Sequence, residues 1–347
     1  MSVKRLEDQL SFVEKCGWAD ADIFPLPSDA SFRRYIRLVR GDDSRMLMDA
    51  PPEQEKLGAY LDIQAHLENL GLRVPKLFAE DRAKGFALIE DFGDDTFTEL
   101  LAAGADEQGL YLQAADVLAH LHAKGSAATK IDLPPYSEET LLTEVALFTD
   151  WFVPALTGDV PTEEQTNAYI DAWKTALLPV SADRSALVLR DYHVDNLMIL
   201  SGETGLTSCG LLDFQDALVG SPAYDMVSLL EDARRDVDPS VRGAVLERYF
   251  ALCPVIDPEL FEKQMALLGA QRHAKVIGIF VRLSRRDGKH SYLRHLPRLL
   301  QLLKKHLDTE ALAPVKRAVE TMVPNYWTAA VNEPPSNASA GLGGMLL

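Results

Sequence analysis

Long apolar runs are missing from this sequence. None approaches the roughly 20 residues that a membrane-spanning helix needs. Met1 to Lys15 mixes charged and apolar side chains as an amphipathic helix does, and lacks the unbroken apolar stretch of a signal peptide. Cysteine is scarce: Cys16, Cys209 and Cys253 are an odd number, widely spaced, which excludes a disulfide framework and offers no metal-ligand spacing. Reduced thiols in a cytoplasmic protein are the expectation. Positive charge is in deficit, with 35 Lys and Arg against 52 Asp and Glu for a net charge of −17. That excludes general nucleic-acid binding and, averaged over the surface, suits a cationic small molecule better than an anionic one. Glycine is absent from the small-residue loop Ser28-Asp29-Ala30-Ser31, and lysine from the apolar segment Arg45-Met46-Leu47-Met48-Asp49. What is present is ordinary for a soluble globular chain: 47% hydrophobic and 25% charged residues over 347 positions, enough for one or two sizeable cores.

The chain divides by pattern. Residues 3–16 suggest a helix. Phe32 to Val39 alternates and is rich in aromatic and branched side chains, as a strand is; Gly41 to Ser44 is a turn, and Arg45 to Asp49 returns as the partner strand. Leu57, Leu61, Ile63, Leu67 and Leu70 fall at helical spacing within Glu53–Leu70, and Gly71 ends that helix. Val74 to Ala79 and Gly85 to Glu90 read as two more strands. Residues 1–90 therefore form one lobe, 91–95 a connecting hinge, 96–332 a mainly helical second lobe, and 333–347 a flexible tail rich in Pro, Ser, Ala and Gly. Helices are expected over Leu110–Lys124 and Glu138–Val153 and from Tyr224 onward. The fold class expected is α+β.

The most informative stretch is Leu189-Arg190-Asp191-Tyr192-His193-Val194-Asp195-Asn196, followed by Leu211-Leu212-Asp213-Phe214. Asp191 and Asn196 lie five positions apart on a loop between two apolar runs, Ala186–Leu189 and Leu197–Leu200. Ser201–Gly205 is a turn, and Gly210–Leu212 is a short strand that ends at Asp213. This order can fold two separated oxygen donors onto one Mg²⁺, which prefers carboxylate and carbonyl oxygens together with phosphate and water. Phosphoryl transfer from ATP requires little more of a protein: a carboxylate to orient the acceptor hydroxyl and two oxygen ligands for the metal. Asp191, Asn196 and Asp213 are the candidates.

Several segments carry a family resemblance beyond this loop: Ser28 to Tyr35, Leu47-Met48-Asp49-Ala50-Pro51-Pro52, Asp213-Phe214-Gln215-Asp216-Ala217, and Gln271 to Phe280. Over about residues 8 to 330 the sequence resembles the aminoglycoside phosphotransferase and choline kinase branch of the protein-kinase-like fold. Within it, the sequence is similar to bacterial sugar 1-kinases that phosphorylate N-acetylmuramate and N-acetylglucosamine at the anomeric hydroxyl in cell-wall recycling. The resemblance implies a two-lobed fold with a small antiparallel sheet, ATP between the lobes, Asp191 as catalytic base, and Asn196 and Asp213 as Mg²⁺ ligands. It departs from the broad kinase pattern at Leu189, where a histidine is usual, and at the missing strand lysine.

The remaining expectations concern binding. Backbone groups around Ser31 would meet the phosphates, and one of Arg33 and Arg34, which face opposite sides of a strand, would replace the lysine. Glu90 and Phe92 belong to the segment that would read adenine through its backbone. His193 and Asp216 would face the substrate or support the loop, and Glu144, Trp151 and Arg272 are candidates for the sugar pocket. From Arg272 to Arg294 seven basic residues meet one acid, Asp287; Arg272, Lys275, Arg282, Arg286 and Lys289 fall near one helical face that could attract a phosphate or a carboxylate. His122 reads as structural. Two alternatives remain: a kinase for a cationic acceptor such as an aminoglycoside or choline, and a catalytically silent nucleotide-binding scaffold. Oligomeric state is not legible.

Overall fold

The computed structural model describes residues 3–27 and 32–333. The loop Ser28–Ser31, including the candidate Ser31, and the tail from 334 onward lie outside the described residues. In chain order the elements are α1 (Val3–Lys15), β1 (Asp22–Pro25), β2 (Arg34–Arg40), β3 (Asp43–Asp49), α2 (Leu57–Asn69), β4 (Leu77–Asp81), β5 (Phe86–Glu90), α3 (Phe97–Ala102) and α4 (Glu107–Ala123). There follow α5 (Glu138–Leu147), α6 (Val153–Thr157), α7 (Glu163–Ser181), β6 (Ala186–Val188), β7 (Leu197–Ile199), β8 (Cys209–Leu211), β9 (Leu218–Gly220), α8 (Ala223–Leu230), α9 (Pro239–Leu252), α10 (Pro258–Asp287), α11 (Leu296–Leu307) and α12 (Ala313–Met322). No helix among the described residues is long and apolar enough to cross a membrane.

Two compact units share these elements. The first takes residues 1–133, 185–218 and 238–255, and the second 134–184, 219–237 and 256–347. The first holds an antiparallel sheet in the order β1-β2-β3-β5-β4. Its tight β2–β3 hairpin closes at Arg40 opposite Asp43, with Gly41 in the left-handed region at φ 60°. Period-two alternation sends Ile36 and Leu38 of β2, Leu47 of β3, and Phe86 and Leu88 of β5 to one face, where Phe12 and Val13 of α1 and Trp18 cover them. Each such fully buried side chain contributes on the order of 1.5–3 kcal/mol. The strand β1 was not foreseen. All four of its residues are exposed and one is Pro25, so it carries no alternation to read and fits only at a sheet edge.

Asp49 closes this sheet. It is fully buried at the end of β3, and its carboxylate accepts from Arg34 of β2 at 2.6 Å and from Arg5 of α1. One carboxylate thus ties helix and hairpin together. The first unit also contains α4, whose Ala114 carbonyl accepts the Tyr192 hydroxyl at 2.8 Å. Beside it, His122 bonds the Tyr249 hydroxyl of α9 at 2.7 Å, and burial pushes its imidazole down to about 3. His122 is neutral and structural, as the sequence suggested.

The second unit is built on α10, a 30-residue helix that ends on Gly288 in the left-handed conformation. The end of α5 lies directly on α10: a Cβ on Gly278 would meet the Leu147 carbonyl oxygen at 2.3 Å. The helix expected over Glu138–Val153 is interrupted. α5 stops at Leu147, Phe148–Phe152 form a π-helical turn, and α6 begins at Val153. Phe148 and Phe152 are fully buried beside Tyr169, whereas Trp151 is only half-buried.

Removing the Asp49 carboxylate leaves two guanidinium groups facing an apolar sheet end. Asp49→Ala is expected to cost about 3 kcal/mol, the low end for breaking a buried ion pair because both arginines can still reach water. The midpoint of urea unfolding measures this, and an unchanged midpoint would remove Asp49 from its role as the sheet's anchor.

Candidate active site

The loop that carries Asp191 starts where β6 ends. Arg190 takes a left-handed φ of 71°, and the Asp191 N–H turns back to the Leu189 carbonyl at 2.9 Å. Asp213 is itself left-handed, at φ 56°. For a residue with a side chain this conformation costs roughly 1–2 kcal/mol, and such strain concentrates at functional sites. Among the described residues the only other non-glycine with positive φ is Asn325.

Pairing brings the two ends of the motif together. β7 and β8 run antiparallel with Leu197 opposite Leu211, and beyond them the Leu212 N–H donates to the Asn196 carbonyl at 2.9 Å. Asn196 and Asp213 therefore flank one hydrogen-bonded rung. The Asn196 side-chain amide donates to the Asp191 backbone carbonyl at 2.8 Å, which commits its NH₂ and turns its oxygen elsewhere. Crowding by protein pushes the Asp213 carboxyl above the ordinary carboxylate range. The Gln215 amide, donating at 2.9 Å, and Arg33 oppose this, while the Asp191 and Asp216 carboxylates reinforce it. A set of like charges with an amide oxygen beside it is the donor chemistry of a hard divalent cation.

The two arginines separate at the start of β2, with Arg34 its first residue and Arg33 just before it. Arg33 is 8% exposed; its Nε lies 3.3 Å from Glu55 and a terminal nitrogen 3.7 Å from Asp213 Oδ1. Arg34 points the other way, to Asp49. Glu55 was not anticipated. It lies in the segment before α2 and has no local pattern that connects it to Arg33. Asp216 keeps close company with the metal-type carboxylate through Gln215, whose amide lies 3.3 Å from it, and its carbonyl accepts from Arg190 at 3.5 Å. His193 is 7% exposed, with one ring nitrogen 3.4 Å from the Asn196 amide and the other 3.9 Å from Asp195. Asp195 in turn accepts the Thr98 hydroxyl.

The side chains of Glu90 and Phe92 are occupied structurally. Arg73 clasps Glu90 with two nitrogens, at 2.7 and 2.5 Å, reaches Glu203 at 2.8 Å, and stacks on the Phe92 ring at 4.8 Å. Burial pushes the Glu90 carboxyl up, but Arg73 more than offsets this and holds it below its usual pKa. The Phe92 ring rests on Gly210, where a Cβ would lie 2.6 Å from it. In the same segment Arg37 pins Asp91 at 2.7 Å and Asp94 at 2.8 Å.

Glu144 and Arg272 belong to the second unit, in one buried network. Glu144 pairs with Lys275 at 2.8 Å and accepts from Gln271 at 2.9 Å and from the Tyr136 hydroxyl. Lys275 reaches the Tyr224 hydroxyl at 3.3 Å, and Arg272 reaches the same hydroxyl at 3.2 Å. The single basic face expected along this helix does not form. Arg272 and Lys275 are buried, Arg286 is exposed and paired with Asp287 at 2.8 Å, and Lys289 lies beyond the helix end. Trp151, on the π-helical turn, has no part in the network's hydrogen bonds.

The pattern agrees with known proteins. Residues 22–260 match the model of the phosphotransferase enzyme family. The chain is 33% identical to an N-acetylmuramate/N-acetylglucosamine kinase of Caulobacter vibrioides, over 93% of this chain and 98% of that protein. It is 39% identical to a protein of the same name from Pseudomonas aeruginosa, over 83% of this chain and 85% of the relative. Among solved structures, the ADP-bound aminoglycoside phosphotransferase APH(2'')-Ib aligns with a TM-score of 0.57 at 16% identity, covering 88% of this chain and 99% of that one. A choline/ethanolamine kinase family protein from Mesorhizobium loti aligns with a TM-score of 0.59 at 12% identity, covering 91% and 99%. These likenesses bear out the two-lobed, protein-kinase-like α+β class read from the sequence. The chain belongs to the phosphotransferase enzyme family.

Proposed function

We propose that this protein transfers the γ-phosphoryl group of ATP to the anomeric hydroxyl of an N-acetylated amino sugar, N-acetylmuramate or N-acetylglucosamine. The relatives' names suggest the acceptor. The observation that carries the chemistry is the Asp191–Asn196–Asp213 set, held by one backbone rung between two left-handed turns. In this reading residues 1–90 hold the nucleotide with the 91–95 segment against adenine, and residues 96–332 supply the catalytic loop and the acceptor pocket.

Asp191 accepts a hydrogen bond from the acceptor hydroxyl and aims its oxygen at the phosphorus. An anomeric hydroxyl is more acidic than other sugar hydroxyls, so an ordinary carboxylate suffices and positioning supplies most of the rate. The Asn196 amide oxygen and the Asp213 carboxylate fit Mg²⁺, which, when bound, neutralises charge on the phosphates. Arg33 takes the electrostatic part of the missing lysine, and Glu55 keeps its guanidinium on the Asp213 side. The buried network of the second unit joins two cations, Arg272 and Lys275, to one carboxylate, Glu144.

Asp191→Asn is expected to lower kcat by about a hundredfold or more with Mg-ATP affinity nearly unchanged, whereas Asp213→Ala should weaken metal-dependent nucleotide binding. Titration calorimetry beside steady-state rates checks both, and the opposite assignment of losses would overturn these roles. Arg33→Met should raise the KM for ATP severely, and Arg34→Met should leave it nearly unchanged while lowering the unfolding midpoint. Equal effects on ATP would end the substitution of arginine for lysine. Phosphorus NMR after incubation with Mg-ATP and a panel of N-acetylmuramate, N-acetylglucosamine, glucose and one aminoglycoside tests the acceptor. A phosphate coupled to the anomeric proton of an N-acetyl sugar is expected; product from the aminoglycoside alone would refute the reading.

A further inference from the structure

Asn196 can offer an oxygen to a cation only while its amide is turned the right way. Its Nδ2 donates to the Asp191 backbone carbonyl at 2.8 Å. That bond marks the nitrogen end, because an amide oxygen placed there would face another oxygen. Nδ2 also lies 3.4 Å from His193 Nε2, in a long hydrogen bond. An NH₂ group carries two hydrogens, so one goes to each partner and the amide oxygen is left for a ligand. His193 sits on the same turn, where its carbonyl accepts the Asn196 N–H at 2.9 Å, and it is 7% exposed.

This arrangement requires one tautomer of the imidazole. Nε2 accepts the amide hydrogen only if the ring proton sits on Nδ1. Asp195 lies on the Nδ1 side, with Oδ2 3.9 Å away. That separation is too long for a direct hydrogen bond. It is short enough for a carboxylate to favour an N–H over a lone pair on a ring that water reaches poorly.

Asp195 is itself held from outside the loop. Its Oδ1 accepts the hydroxyl of Thr98 in α3. The segment that leads into α3 is fastened to β7: the Ile199 N–H donates to the Asp95 carbonyl at 2.9 Å, and Thr96 bridges to Met198. Every group in this series belongs to the first unit.

We infer that His193 is a positioning residue for Asn196: its Nε2 takes the second amide hydrogen and so keeps the amide oxygen turned out for a divalent cation, with Asp195, held by Thr98, selecting the tautomer that can do this. The inference rests on the reading of Asn196 as a metal ligand and adds the residues that orient it. Outer partners of this kind fix the direction of a ligand atom, and their loss is felt in metal affinity. His193 therefore contributes to metal binding and not to sugar binding.

Mn²⁺ is the probe, counted in its free form by electron paramagnetic resonance with saturating ADP present. His193→Phe keeps a flat ring and removes the acceptor. Its Mn²⁺ dissociation constant is expected to rise about tenfold or more, as for loss of a partner behind a metal ligand. His193→Gln supplies an acceptor oxygen again and should stay within about threefold of the wild type. Asp195→Asn keeps an oxygen for Thr98 and turns an NH₂ towards Nδ1, which favours the wrong tautomer, so it should weaken Mn²⁺ binding as His193→Phe does. ADP affinity in EDTA, the melting temperature without metal, and the sugar KM at saturating Mg²⁺ should stay near wild type in all three. An unchanged Mn²⁺ constant in folded His193→Phe or Asp195→Asn protein overturns the inference, as do equal losses in His193→Gln and His193→Phe. A higher sugar KM with metal affinity intact also overturns it, by making His193 a sugar contact, and loss of folding in all three makes the group a structural anchor instead. Asn196→Ala separates the two readings: if it leaves Mn²⁺ binding unchanged, the metal-ligand reading itself fails and this inference with it.

Discussion

One backbone hydrogen bond organises the segment from Asp191 to Asp213: the Leu212 N–H on the Asn196 carbonyl. It extends the β7–β8 ladder by one rung past Leu197 and Leu211. Through it the loop that carries Asp191 and the strand that carries Asp213 become one object. The two left-handed residues, Arg190 and Asp213, are what this closure costs. Neither is glycine, so the strain is held by the surrounding pairing and by Tyr192 anchored on α4. A glycine at Asp213 would relax the turn and lose the carboxylate, which accounts for strain at that position in a way stability does not.

How much of this was legible follows from locality. Asp191, Asn196 and Asp213 lie within one loop–strand–turn–strand run, so their spacing alone brought them together, and the sheet hairpins around them carried their own alternation. The misses involve partners far away in sequence or register changes without a compositional mark. Glu55 cannot be tied to Arg33 by any local pattern, nor Glu144 to Lys275. The π-helical turn at Phe148–Phe152 keeps apolar residues at nearly helical spacing, so it read as uninterrupted helix. The supposed basic face of α10 failed because periodicity fixes where a side chain points and leaves open whether a carboxylate from another helix is waiting there.

A guanidinium stands beside the Asp213 carboxylate although β3 carries no lysine. Leu47 of β3 faces the core beneath α1, and Asp49 at the strand's end pairs with Arg34. Arg33 approaches from the preceding segment, longer and with five donors, and can hold Glu55 while a second nitrogen faces Asp213. The same pair of neighbouring arginines therefore does two jobs. Arg34 fastens the sheet, and Arg33 supplies charge beside the metal-type carboxylate. Arg34 opens β2 and Arg33 lies just before it, and the two side chains reach different partners.

The overall charge of −17 sets the remaining problem. ATP is an anion, and averaged over the surface this protein repels it. Charges in water lose most of their reach within about 10 Å at ordinary ionic strength, so the distant acidic surface matters little once the nucleotide is seated. What matters is the sign of the few charges around it that water does not screen. Arg33 is 8% exposed, so solvent weakens its charge interactions little. Asp191 and Asp213 add negative charge at the same place, and a divalent cation on the Asn196–Asp213 oxygens would turn that sum positive. A guanidinium as buried as that of Arg33 keeps its short-range charge within a chain whose net charge is acidic.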